Sequence, residues 1–71
     1  MKVLLVEDEP NVAGLINRGL QENGHSVTVA PDGMIGFQLG TGHPFDVIIL
    51  DIMLPNMNGM ELCKQLRQQN I

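Results

Sequence analysis

The sequence contains few aromatic residues and few basic ones. It has two Phe and neither Trp nor Tyr, so it offers no aromatic platform on which bases or sugars could stack. Four Lys and Arg stand against eight Asp and Glu, which gives a formal net charge of -4. Because binding to a phosphate backbone depends on clustered positive charge, we predict no direct contact between this segment and nucleic acid.

Cysteine and long hydrophobic runs are also scarce. The one cysteine, Cys63, cannot form a disulfide within the chain, and we interpret it as a small buried residue without a redox role. Only four apolar residues, 3–6, separate Lys2 from Glu7. That run is far shorter than a signal-peptide core or a membrane span, so we predict a cytoplasmic protein that does not enter a membrane.

Three short segments have the composition of β-strands. Residues 3–6 and 47–50 are unbroken apolar runs, which are typical of strands buried on both faces of a parallel sheet. Residues 25–29 alternate polar and apolar side chains, which predicts a strand at an edge of the sheet. A chain of 71 residues holds at most one small domain, and we expect its stability to be marginal.

A helical pattern follows each predicted strand. The first helix begins at Pro10 and ends near Asn23 and Gly24. Its apolar face is predicted to comprise Val12, Leu15, Ile16 and Leu20, and its solvent face Asn17, Arg18, Gln21 and Glu22.

The second and third helices are also read from apolar spacing. After the turn at residues 30–33, the second helix carries Met34, Ile35, Phe37 and Leu39, and Gly36 and Gly40 weaken it. Asn58 followed three residues later by Glu61 resembles a capping box. The third helix then continues through Leu62, Cys63 and Leu66.

The order strand-helix-strand-helix-strand-helix predicts an α/β protein with a parallel sheet. If the second and third strands lie on opposite sides of the first, the strand order is 2-1-3. The connection then reverses direction between the first and third strands. Ligands of open α/β sheets bind at such a reversal, outside the carboxyl ends of the strands.

Three acidic residues are predicted to lie at the carboxyl ends of the first and third strands. Glu7 and Asp8 follow the first strand, and Asp51 follows the third. Three neighbouring anions repel one another unless a cation joins them, and Mg²⁺ prefers oxygen ligands of this kind. The sequence therefore predicts a magnesium site at Glu7, Asp8 and Asp51, to which a backbone carbonyl of the following loop could add a ligand.

Asp51 is also a candidate nucleophile. The loop after it, residues 52–59, contains Pro, Asn and Gly, which favour a shaped turn at the sheet edge. An exposed carboxylate there could attack phosphorus while a metal neutralises the developing charge. A strand-ending acid that merely faces solvent is the alternative for Asp51 alone, and the acidic pair across the sheet favours the phosphoryl acceptor.

These two segments resemble a known family. Val3-Leu4-Leu5-Val6-Glu7-Asp8-Glu9-Pro10 resembles the opening of a response-regulator receiver domain of two-component signalling, and residues 46–62 (DVIILDIMLPNMNGMEL) resemble its phosphorylation segment. The resemblance implies a flavodoxin-like fold, a bacterial signalling module that is not an enzyme, and a sensor histidine kinase as partner. It implies that Asp51 is the phosphoacceptor, that the Met53 carbonyl joins the acids as a magnesium ligand, and that Pro55 and Gly59 shape the loop.

The resemblance covers residues 1–71 as a partial receiver domain. The family pattern continues into a fourth strand followed by Thr or Ser and a fifth followed by Lys, and neither unit is in this sequence. We therefore expect a natural or engineered fragment, whose full protein would carry a DNA-binding output domain. The open edge of the third strand could template pairing with another chain, so we expect a homo-oligomer.

Other functional classes fit less well. A haloacid-dehalogenase-like phosphatase needs a second Asp two residues after the nucleophile, where this chain has Met53. A dinucleotide-binding half-domain needs a glycine-rich turn after the first strand. His25 and His43 lie in predicted loops without a second ligand at useful spacing. The alternative that remains is a non-signalling fragment that acts as a self-associating interaction module.

Overall fold

Strands and helices alternate along the described part of the chain. A computed structural model describes residues 1–51 and 58–71. The elements are β1 (Lys2–Val6), α1 (Pro10–Glu22), β2 (Ser26–Ala30), α2 (Gly33–Gly42), β3 (Val47–Leu50) and α3 (Gly59–Gln68). The order agrees with the order predicted from the sequence. No helix among the described residues has the length and apolar content needed to cross a membrane.

The three strands form a parallel sheet in the order β2-β1-β3, which confirms the predicted topology. Leu4 of β1 pairs with Thr28 on one side and with Ile48 on the other. β2 lies at an edge, as its alternating sequence predicts. Among the described residues, β3 forms the opposite edge of the sheet.

The residue directly before each helix caps the helix with its side chain. Glu9, which directly precedes Pro10, accepts a hydrogen bond from the Asn11 N–H at 2.9 Å. Asp32 caps α2. Asn58 caps α3 through the Glu61 N–H at 2.8 Å, which is the first half of the predicted capping box. These bonds satisfy backbone donors that have no partner inside the helix.

The main core lies on the face of the sheet that α2 and α3 cover. It is built from five buried residues: Leu4, Val6, Ala30, Leu62 and Leu66. Gly36 and Gly40 are buried and lie on the inner side of α2, where a Cβ on Gly36 would stand 2.9 Å from Val6 Cγ2. These glycines, which in the sequence only weaken a helix, allow α2 to approach β1 closely.

The predicted second helix is confirmed, but its apolar side chains are not all buried. Met34 and Ile35, which helped to predict this helix, are 53% and 37% exposed. Burial along α2 is centred on its glycines, because small residues permit the closest approach of the backbone. Cys63 is half-buried, so its predicted burial is incomplete.

The predicted apolar face of α1 also needs correction. Leu15 is 71% exposed, whereas Ala13 is the buried residue of this helix. Asn17, predicted to face solvent, is half-buried, and its Oδ1 is buried without a hydrogen-bond partner among the described residues. Ala13 and Asn17 are four residues apart and therefore share a helix face, and α1 packs on β1 and β2 through the side that contains the buried Ala13.

β1 is buried on both faces, as predicted, but β3 is not. Residues 3–6 are at most 2% exposed, whereas Val47 is 37% exposed and the rest of β3 is half-buried. β3 stands at the edge of the described sheet, and α1 packs on the other two strands. An apolar run alone therefore does not distinguish a central strand from an edge strand.

Candidate acidic metal site

The sheet places the ends of β1 and β3 side by side. Val6 pairs with Leu50, and the Asp51 N–H donates to the Val6 carbonyl at 3.0 Å. On the other side of β1, the Glu7 N–H donates to the Ala30 carbonyl at 3.0 Å. The ladder thus continues one residue beyond each strand, and it fixes the backbone from which the acidic side chains project.

Three acidic side chains meet at this edge. Carboxylate oxygens of Glu7, Asp8 and Asp51 all lie within 4.8 Å of one another. Glu7 and Asp51 are half-buried, and Asp8 is exposed. The structure therefore brings together the three acids that the sequence predicts as neighbours.

The loop between β1 and α1 holds Glu7 in place. The Glu9 N–H donates to Glu7 Oε1 at 3.2 Å, while the Glu9 side chain caps α1. Glu9 therefore links the start of the helix to the acidic cluster. The sequence reading did not assign it this role, although its position directly before Pro10 is a recognisable capping position.

The environment of Glu7 favours its neutral form. Partial desolvation is the largest cause of the raised pKa of its carboxyl, which lies above the ordinary value of 4.5. The negative charge of Asp51, a hydrogen bond with the Asp51 side chain and the charge of Asp8 raise the pKa further, and the bond from the Glu9 N–H lowers it. A cation bound among the three acids would oppose this effect.

The cluster suits a small hard cation. Magnesium binds oxygen at about 2.0–2.1 Å, so two ligands of one ion are at most roughly 4 Å apart. The observed upper limit of 4.8 Å is close to that separation, and small side-chain rotations would bring the acids within it. Magnesium also retains several waters, so few protein ligands suffice. The donor set and spacing therefore fit this ion.

The other predicted site residues lie elsewhere or outside the described part. Met53 and Pro55 fall outside the described residues. Gly59 is the buried first residue of α3. His25 and His43 precede β2 and β3, at the end of the sheet opposite the acidic cluster. His25 Nδ1 is 3.2 Å from the N-terminal nitrogen, and His43 is the C-cap of α2.

A parallel sheet with acids at the reversal of its strand order defines a flavodoxin-like α/β protein. Comparison with known families narrows this class. The response regulator receiver domain matches residues 3–71, and the chain belongs to this family of signalling modules. The family resemblance read from the two sequence motifs is confirmed.

Similar curated proteins are considerably longer. The response regulator ArlR of Staphylococcus epidermidis is 43% identical over 67 residues, which cover 94% of this chain and 31% of that protein. The transcriptional regulatory protein TcrA of Mycobacterium tuberculosis is 39% identical over 71 residues, which cover all of this chain and 28% of that protein. The chain thus spans about a third of the length of the curated relatives that it matches.

Solved receiver domains have the same fold. The receiver domain of the Francisella response regulator 1452 superposes with a TM-score of 0.95 at 41% identity, over 99% of this chain and 58% of that one. TrrA of Thermotoga maritima, solved in complex with Mg²⁺-BeF, gives a TM-score of 0.93 at 32% identity, over 96% and 59%. TrrA in complex with the histidine kinase ThkA gives a TM-score of 0.89 at 33% identity, over 94% of this chain and 58% of that one.

Proposed function

We propose that this chain is a phosphoacceptor module of a bacterial two-component system and that Asp51 accepts the phosphoryl group. The observation that supports this most directly is the meeting of the Glu7, Asp8 and Asp51 carboxylates at the carboxyl edge of the sheet. In this proposal Glu7, Asp8, Asp51 and the Met53 carbonyl hold Mg²⁺, and Pro55 and Gly59 shape the loop after the acceptor.

The proposed transfer forms one bond and breaks another. A carboxylate oxygen of Asp51 attacks the phosphorus of the donor, and the bond between phosphorus and the leaving group breaks. The leaving group departs with the electron pair, and the product is an acyl phosphate on Asp51. Magnesium, if held by Glu7, Asp8 and Asp51, would neutralise charge on the transferred oxygens. Because the group ends on the chain's own side chain, the proposed role is that of a receiver and not of a turnover enzyme.

The proposed donor is a sensor histidine kinase. The complex of TrrA with the kinase ThkA supports this partner, because TrrA shares the fold of this chain at 33% identity. We propose that residues 1–71 form a partial receiver domain that lacks the fourth and fifth strand-helix units. In the full protein, a DNA-binding output domain would follow, and the whole would act in the cytoplasm. The transcriptional role in the name of TcrA supports the proposed output.

Magnesium binding tests the site before any transfer occurs. We expect Mg²⁺ to bind weakly and to shift the backbone amides of residues 7, 8 and 51, because three carboxylates converge there. The proton competes with the metal for Glu7, whose pKa is raised. As the pH is lowered, affinity should therefore begin to fall while the pH is still above 4.5, and Glu7→Gln should lose this part of the pH dependence.

The measurement is a titration followed by amide chemical shifts at several pH values. Glu22→Gln is the matched control, since Glu22 is an exposed residue at the end of α1 and should leave both affinity and pH dependence unchanged. Shifts confined to the loops of His25 and His43, with none near Glu7 or Asp51, would overturn the assignment.

The edge of β3 supports a second proposal, that the chain self-associates. β3 is the edge of the described sheet, and a groove beside it is lined by Ile48, Leu50, Cys63 and Leu66 among others. Antiparallel pairing of two such edges would satisfy backbone groups and cover these side chains in a closed twofold dimer. In this reading the chain acts as an interaction module, with or without phosphoryl transfer.

We expect the 71-residue chain to sediment as a dimer or a higher oligomer. Its mean residue ellipticity in the circular dichroism spectrum should grow with protein concentration, because association stabilises the folded state. Val47→Lys places a charge at the β3 edge and should shift the equilibrium towards monomer. Val12→Lys is the control, because Val12 is 43% exposed on α1, away from that edge. A cooperatively folded monomer at every concentration would show that the edge needs no partner.

A further inference from the structure

Basic and acidic residues are concentrated at opposite ends of the sheet, the amino and the carboxyl ends of its strands. Each helix carries the chain from the carboxyl end of the strands back towards the amino end, so late helical residues lie near the starts of the strands. All four basic side chains belong to the amino half: Lys2, Arg18, Lys64 and Arg67. Six of the eight acids belong to the carboxyl half: Glu7, Asp8, Glu9, Asp32, Asp51 and Glu61. The amino end is therefore the positive end of an acidic chain.

A cavity opens at this positive end. It lies between the end of α2 and the amino ends of β1 and β2, and its volume is about 300 Å³. We call it the amino-end cavity, and it is lined by Lys2, Ser26, Thr28, Leu39, His43, Pro44 and Phe45. Its size is at the lower end of the range for small-molecule sites.

The polar lining of the cavity consists of groups that can donate hydrogen bonds. Lys2, Ser26 and Thr28 point to the same face of the sheet, because Lys2 pairs with Ser26 and Thr28 follows two residues later. They offer one ammonium and two hydroxyl groups, and the opposite wall adds the apolar surfaces of Leu39, Pro44 and Phe45. A charged donor beside two hydroxyls favours an oxyanion.

The end of α2 weakens this positive potential only in part. Helix carboxyl ends carry partial negative charge on their free carbonyls. Here the His43 N–H donates to the Leu39 carbonyl at 3.1 Å, and Thr41 Oγ1 donates to the Phe37 carbonyl at 2.7 Å. The Leu39 carbonyl is thus engaged, whereas the Phe37 carbonyl lies inside the helix. The Asp46 carboxylate, which accepts from the Lys2 backbone N–H at 2.7 Å, also opposes the positive potential, and the Lys2 ammonium is the charged donor that lines the cavity itself.

We propose that the amino-end cavity binds a small organic anion, at the end of the sheet opposite the acidic cluster. The oxyanion lies against Lys2 and the hydroxyls of β2, and the apolar body of the ligand packs on Phe45. The pairing of a few placed polar groups with an apolar wall is the usual composition of a small-molecule site. This site is independent of magnesium and of phosphoryl transfer to Asp51.

The test uses phenylphosphonate, which combines an oxyanion with an aromatic body and has a C–P bond that donates no phosphoryl group. Titration of the 71-residue chain without magnesium should give saturable amide shifts at residues 2, 26–28 and 43–45. Methylphosphonate, which has the same head and almost no body, should bind several-fold more weakly. Lys2→Gln should weaken phenylphosphonate binding by roughly tenfold, since it removes the charge-assisted bond.

Arg18→Gln is the matched control, because it changes the net charge equally on α1, outside the cavity. It should leave the affinity within about twofold. If Lys2→Gln loses its native amide dispersion, Thr28→Val takes its place, since it removes a hydroxyl without changing volume greatly. Equal weakening by Lys2→Gln and Arg18→Gln would overturn the proposal, as would shifts that follow ionic strength at every basic residue. Neither result would affect the magnesium titration at Glu7.

Discussion

Asp51→Asn is expected to take up no phosphoryl group from a small phosphodonor in the presence of magnesium. The carboxamide has no anionic oxygen to attack phosphorus, and it removes one of the three acids that fit a cation. The unchanged chain should gain the mass of one phosphoryl group, slowly. Intact-mass measurement before and after exposure to the donor gives the answer directly.

Phosphorylation of Asp51 is expected to be slow because two groups of the family pattern lie outside residues 1–71. The family resemblance places a hydroxyl and a Lys after the fourth and fifth strands, and such groups stabilise charge on the transferred phosphoryl. In enzymes, loss of one donor that stabilises transition-state charge costs on the order of 10²–10³ in rate. A segment that carries these strands, supplied in trans, should therefore restore the rate for the unchanged chain and for Glu22→Gln, but not for Asp51→Asn. Modification that persists in Asp51→Asn would identify a different acceptor and contradict the proposal.

Gly36→Ala is expected to lower the free energy of unfolding by about 1–2 kcal/mol, although alanine is the better helix former. A Cβ at this position would stand 2.9 Å and 3.0 Å from the two methyl groups of Val6 and 3.3 Å from Leu62 Cδ2. Val6 and Leu62 have no exposed surface, so neither can move freely. Because Val6 directly precedes Glu7, a shift of this strand end should also weaken magnesium binding.

Gly19→Ala is the matched control for this substitution. A Cβ on Gly19 of α1 would meet nothing within 4 Å, so the helix gains propensity without a clash. We expect it to raise the free energy of unfolding by about 0.5–1 kcal/mol. Urea denaturation of both variants measures whether each substitution raises or lowers the free energy of unfolding. A stabilising effect of Gly36→Ala equal to that of Gly19→Ala would show that α2 can move away from β1 at little cost.

The elements and their order were predictable from local sequence. The apolar runs at residues 3–6 and 47–50 became β1 and β3, and Pro10 marked the first turn of α1. The caps at Asp32 and Asn58 also follow from short-range chemistry, since each side chain bonds an N–H three residues later. Such features depend on neighbours in the chain, so the sequence contains them directly.

The faces of the helices were less predictable. Leu15 fits an apolar helical stripe yet is largely exposed, while Asn17 lies half-buried against the sheet. The periodicity of α1 indicates which residues share a face, but the rotation of the helix on the sheet depends on the strands beneath it. Likewise, Gly36 is a poor helix former in isolation and an essential point of contact once Val6 stands opposite.

The sequence by itself determined the α/β class, the alternation of strands and helices and the identity of the acids that end β1 and β3, because strand period, caps and turn residues act over short distances. Only the tertiary structure decided that carboxylate oxygens of Glu7, Asp8 and Asp51 come within 4.8 Å of one another, and that partial desolvation, together with these neighbouring acids, raises the pKa of Glu7. It also decided that Lys2 and His43 line one cavity. These properties depend on distances between residues far apart in the chain, and packing alone sets those distances.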